Sequence, residues 1–259
     1  SFPGPFDPRS APVAVPPSEG SHSIIYGAVP VLLGAGEFAG YLARPDGHGA
    51  WPSVILLPGA RGIGSLEKAL ARHLARHGRS TLVPDPYRGR APGPHATDEE
   101  VAAASAALRD HEVLADVGEA REYLSSDDTT WADDSPSAIV GVDTGGRFAL
   151  LTGARRRDLS AVVAIAAPLD AEGDREAAID AVGRISVPVL GLYGAEDDTI
   201  PLEDVDAAQA ANPGARFIVY EGVGHAFIDP SSDDYHPGAE ADALARIRAT
   251  LDAASPVPV

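Results

Sequence analysis

From residue 53 to residue 254, short apolar runs alternate with stretches of helical periodicity, and this alternation constrains the fold more than any other feature of the chain. "SVILLPG", "STLVPD", "SAIVGVD", "SAVVAIAAP", "VPVLGLYG" and "ARFIVYEG" are runs of strand length closed by Gly, Pro or an acidic residue. A strand that is apolar on both faces needs cover on both faces, which predicts a central, mostly parallel sheet with helices on each side. The cover is expected from "SLEKALARHLARHG", with Ser65 as its N-cap and Gly78 as its stop, and from residues 97–124 read as one helical region. "TGGRFALLTGARR", "DREAAIDAVGR", "PLEDVDAAQAA" and "GAEADALARIRATLDAA" supply the remaining helices. Ahead of them, "SIIYGAVPVLL" and "EFAGYLARP" carry the alternation and turn signals of antiparallel strands.

The expected fold class is therefore α/β, a mostly parallel sheet flanked by helices, in one domain over residues 21–259. Residues 1–20, "SFPGPFDPRSAPVAVPPSEG", are too rich in Pro and small polar residues to bury a core, and are read as an extended arm or a flap over the site. They lack the basic and apolar regions of a signal peptide, and no apolar run approaches the roughly 20 residues that span a bilayer, so a cytoplasmic protein without membrane contact is expected. With no cysteine there is no thiolate nucleophile to propose, and a net charge of −18 argues against a nucleic-acid partner. No dinucleotide fingerprint or phosphate-binding loop occurs, so no cofactor is expected. His73 and His77, four apart on one helix, have no third convergent ligand, so no metal is expected either.

In an α/β sheet, ligands collect at the carboxyl ends of the strands. Three such turns carry candidate chemistry. "GVDTGG" places Asp143 among glycines that let a strand turn sharply into a helix, the setting of a nucleophile elbow. "GAEDDTIP" places Asp197 after a later strand, with Asp198 as its neighbouring alternative, and "GVGHAF" places His225 after the last. The order elbow, acid, histidine is that expected of α/β-hydrolases. "PYRGRAPGPHATDEE" is a Pro- and Gly-rich loop of the kind that commonly carries function, and it offers Tyr87, Arg88, Arg90 and His95 as substrate contacts.

The chain resembles the dienelactone hydrolase family of α/β-hydrolases over roughly residues 24–252. "RHGRSTLVPDPYRGR", "GVDTGGRFAL", "YGAEDDTIP" and "GHAFIDPSSDDYHPGAEADA" carry the likeness. The resemblance implies hydrolysis of a small-molecule substrate by a monomer or homodimer, with Asp143 at the nucleophile, Asp197 at the acid and His225 at the base. It implies oxyanion-hole amides from Thr144 and from the "LPGARGIG" loop, at Ala60 or Arg61. Two positions depart from the family. Its cysteine is replaced by Asp143, and the glutamate usual after the first parallel strand is replaced by Gly59. A carboxylate beside Asp143 would add like-charge repulsion, so its loss is expected to leave Asp143 ionised.

A carboxylate attacks saturated carbon to leave an ordinary ester, which suits an epoxide or a halide better than the family's esters and lactones. Enzymes of this fold that use such chemistry carry a helical cap after the sixth strand, and only about 20 residues separate "AVVAIAAP" from "VPVLGLYG" here. Two alternatives stand beside hydrolysis: Asp143 and His225 as the acid/base pair of a lyase, isomerase or cyclase, and an inactive binding protein.

Overall fold

A computed structural model describes residues 20–171 and 175–258; the expected arm at residues 1–20 lies almost wholly outside them. Among the described residues eight strands form one sheet: β1 (Ile24–Leu33), β2 (Gly36–Pro45), β3 (Ser53–Leu57), β4 (Ser80–Val83), β5 (Ser137–Val142), β6 (Leu159–Ile165), β7 (Val189–Gly194) and β8 (Arg216–Tyr220). Their order is β1-β2-β4-β3-β5-β6-β7-β8. β1 and β2 form an antiparallel hairpin whose second strand pairs antiparallel with β4, and every other pairing is parallel. The α/β architecture expected from the apolar runs is the one observed.

Among the described residues seven α-helices accompany the sheet: α1 (Ser65–Arg76), α2 (Asp98–Ala107), α3 (Asp110–Leu124), α4 (Thr144–Arg155), α5 (Ala178–Val182), α6 (Leu202–Ala211) and α7 (Pro237–Ala254). Alternate residues of β3 serve opposite faces. Val54 and Leu56 pack with Leu70 and Leu74 of α1 and Ile247 and Leu251 of α7. Ile55 and Leu57 pack with Val113 and Val117 of α3, Phe148 and Leu151 of α4 and Val205 of α6. Burial of each such side chain contributes roughly 1.5–3 kcal/mol relative to exposure.

Three expected boundaries move. The N-cap of α1 is Gly64 rather than Ser65, because Glu67 at the third helical position accepts from the Gly64 amide and closes the turn one residue earlier. Residues 97–124 form two helices, since Leu108 and Arg109 are extended and Asp110 starts α3 while its carboxylate pairs with Arg147 and Arg175. "DREAAIDAVGR" yields only the five-residue α5. Ahead of it the Glu176 carbonyl accepts from Arg147 Nη2 at 2.6 Å and the Arg175 guanidinium reaches Asp110, so tertiary contacts claim these residues in place of a helical turn.

Candidate active site

Asp143 stands between β5 and α4 with φ 50° and ψ −122°, a conformation a side chain rarely adopts. Close packing of the neighbouring backbone sustains it. A Cβ on Gly141 would meet the Gly145 carbonyl oxygen at 2.1 Å, and one on Gly145 would meet that of Leu57 at 2.3 Å. The Asp143 amide donates to the Ile165 carbonyl at 2.8 Å, and its own carbonyl accepts from Arg147 as α4 begins. The side chain is thereby lifted clear of the sheet and remains about a quarter exposed.

His225 and Asp197 arrive from neighbouring turns. The loop after β8 is tied to the loop after β7 by the Glu196 amide, which donates to the Val223 carbonyl at 2.9 Å, and Asp234 accepts from the Ala226 amide. Asp197 has no exposed side-chain surface; its Oδ2 lies 2.6 Å from His225 Nδ1. Its Oδ1 accepts from the Thr199 amide at 2.8 Å, the Thr199 hydroxyl at 2.6 Å and the Ile200 amide at 3.1 Å. Burial alone would raise this carboxyl, but the bonds from His225 and Thr199 outweigh it and hold it below the usual range. Glu196 and Asp198 are exposed.

The other ring nitrogen, Nε2, lies 3.6 Å from Asp143 Oδ1, an ion-pair distance rather than a hydrogen bond. Burial opposes protonation of this ring, yet the carboxylates of Asp143 and Asp197 on its two sides prevail and lift it from 6.5 to about 10. Asp143 Oδ2 points the opposite way and accepts from the Ala60 amide at 3.0 Å. Of the two alternatives for the loop amide, Ala60 meets Asp143, while the Arg61 side chain bonds to the Gly93 and Ala96 carbonyls and to Asp98. Thr144 opens α4, so its N–H has no intrahelical acceptor; its hydroxyl lies 2.8 Å from Ser105 Oγ.

The loop after β4 divides. Tyr87 is buried, with its hydroxyl 3.5 Å from the Gly59 carbonyl and near the Ser105 side chain. Burial, then the negative charge of Asp143, raise its phenol and keep it protonated. Arg88 is not brought to this cluster: its φ is 52°, and its guanidinium pairs with Asp116 at 2.7 Å and with Glu112. Arg90 and His95 are exposed.

Two site neighbours carry no sequence signal. Ser105 is the one buried residue of α2, a helix with hardly any apolar stripe to mark which side faces inward. Glu67 reaches from α1 to accept from the Gly59 amide, so the surroundings of Gly59 hold a carboxyl after all, contrary to the expectation drawn from the missing glutamate. Among the described residues no three His, Asp or Glu side chains converge as metal ligands, and no helix is long and apolar enough to cross a membrane.

The model of the dienelactone hydrolase family matches residues 38–255. A Yersinia pestis protein with the provisional name carboxymethylenebutenolidase is 31% identical over 237 residues, 88% of each chain. A carboxymethylenebutenolidase of Rhodococcus opacus is 28% identical over 211 residues, 78% of this chain and 80% of its own. Among solved structures, a provisionally named dienelactone hydrolase from Klebsiella pneumoniae superposes with a TM-score of 0.80 at 29% identity, over 88% of this chain and 98% of its own.

Proposed function

The chain belongs to the dienelactone hydrolase family, and from that premise we propose a small-molecule hydrolase whose nucleophile is the carboxylate of Asp143, with an epoxide as the favoured substrate. The observation that carries this reading is the division of labour between the two carboxylate oxygens. Oδ2 rests on the Ala60 amide, while Oδ1 stands near His225 and is left to attack. Relatives named carboxymethylenebutenolidases keep an ester or lactone in the substrate range, but a carboxylate attacking a carbonyl would form a reactive anhydride.

In the first step Oδ1 bonds to the electrophilic carbon and the ring C–O bond breaks. The departing oxygen takes the Tyr87 proton, and the His225 imidazolium restores that proton to Tyr87. Esterification removes the Asp143 charge that held the ring protonated, so His225 becomes a neutral base at the moment one is needed. It then takes a proton from water as the hydroxide adds to Cγ. The negative charge develops on Oδ2, already at Ala60 N–H and near the N-terminus of α4 at Thr144. Collapse expels the diol oxygen, which takes the His225 proton, and the resulting Asp143 carboxylic acid returns its proton to the ring.

A second reading is favoured by the raised imidazole itself: His225 as a proton donor and Asp143 as a base would suit a lyase, isomerase or cyclase. The test is an intact-mass scan of a His225→Gln variant incubated with epoxides, alkyl halides, lactones and activated esters. A mass gain mapped to Asp143 supports the nucleophile and identifies its electrophile. Turnover by the wild-type protein without any adduct favours acid/base chemistry, and neither turnover nor adduct favours a binding protein.

A further inference from the structure

We propose that Glu67 is a positioning residue of this site, a strut that sets the 59–64 loop so that the Ala60 amide faces Asp143; the proposal rests on the reading of Asp143 as the reactive group. One carboxylate oxygen accepts from the Gly59 amide at 3.2 Å, and the other from the Gly64 amide at 2.8 Å. Both ends of the loop are thus fastened to one side chain, and a turn between them is closed by the Gly62 amide donating to the Gly59 carbonyl at 3.0 Å.

A glutamate at the third position of a helix ordinarily caps its own N-terminus from the surface. Glu67 differs in two respects. It is only 5% exposed, and one of its oxygens serves an amide outside the helix, next in sequence to the amide that holds Asp143. A Cβ on Gly59 would stand 3.6 Å from Glu67 Oε1, Asp143 Oδ2 and Asp143 Cβ alike. The two carboxyl groups therefore flank a single backbone position, and consecutive amides are shared between them. A side chain longer than alanine at residue 59 would have to displace both groups, so a carboxyl delivered from α1 and a glycine at 59 form one arrangement. Burial raises the Glu67 carboxyl, and the bonds from the Gly64 and Gly59 amides offset that rise only in part.

The test follows the Ala60 amide in proton–nitrogen correlation spectra of the full chain. The shift difference between Asp143 and Asp143→Asn proteins measures how closely that amide senses the carboxylate. In a Glu67→Gln background the Gln side-chain NH2 replaces the acceptor at Gly64, so the difference is expected to shrink by at least about half, with the Gly59 resonance moving as well. Glu67→Asp keeps the charge but shortens the reach; it is held to the same criterion and serves if the Gln variant does not fold. A difference equal to the wild-type value in a folded variant overturns the proposal, because a capping residue alone would lower the melting temperature and leave the Ala60–Asp143 contact intact. No turnover is needed, so the test stands whether or not the proposed hydrolysis does. With an electrophile in hand, kcat is expected to fall about 10-fold at nearly constant KM, as loss of alignment in an oxyanion donor requires.

Discussion

Asp143 Oδ2 lies 3.0 Å from the Ala60 amide, so the loop amide proposed as an oxyanion donor is occupied by the protein's own side chain. The oxygen at that donor becomes the carbonyl oxygen of the proposed ester intermediate. Attack of water is then directed at Cγ, and a single turnover in H2(18)O should place the heavy oxygen on Asp143 rather than in the product. Mass analysis of the peptide containing Asp143 checks this; label in the first-formed product and none on Asp143 would exclude the covalent route.

Replacing Asp143 with Asn should lower activity about 1000-fold or more while folding is retained. It also removes one of the two carboxylates facing His225, so the midpoint of the imidazole titration should fall from about 10 toward 6.5, stopping short because Asp197 remains. Nitrogen-detected NMR of the ring measures it. An unchanged midpoint would mean that Asp143 does not act on the ring.

His225 also ties stability to alkaline pH. Its folded-state value, about 10, lies above the 6.5 of an unfolded chain, so the folded protein binds this proton more tightly. The stabilisation is fully present below about pH 6.5 and is lost as pH rises through about 10. Between pH 7 and 10 the melting temperature of the wild-type protein should therefore fall more than that of His225→Gln. Parallel curves would contradict the linkage.

Gly145→Ala should destabilise the chain by about 3 kcal/mol, since the added Cβ meets the Leu57 carbonyl at 2.3 Å with only backbone to move. Gly47→Ala, where nothing lies within 4 Å, should stay within about 0.5 kcal/mol of wild type in denaturant unfolding. Similar losses for the two would show that the elbow is looser than its packing implies.

The sheet is legible because its strands are buried on both faces and read as unbroken apolar runs, and the three turns that carry Asp143, Asp197 and His225 are legible because each follows such a run. Helix limits are less so. Glu176 gives its carbonyl to Arg147, and Asp110 starts a new helix opposite the same arginine, contacts between residues 29 and 37 positions apart that local propensity does not encode. Ser105 and Glu67 are not legible as site neighbours for a related reason. Each reaches the site from a helix whose sequence reads as an ordinary surface or capping segment, and only packing decides where the side chain ends. Arg88 shows the converse: its neighbour Tyr87 faces the Asp143 cluster, while a positive φ turns Arg88 toward α3.

The elbow's shape resides in main-chain contacts, Gly141 against Gly145 and Gly145 against Leu57, and none of them involves the side chain that the turn displays. The fold thus behaves as a tool holder. Its grip is indifferent to the bit it carries.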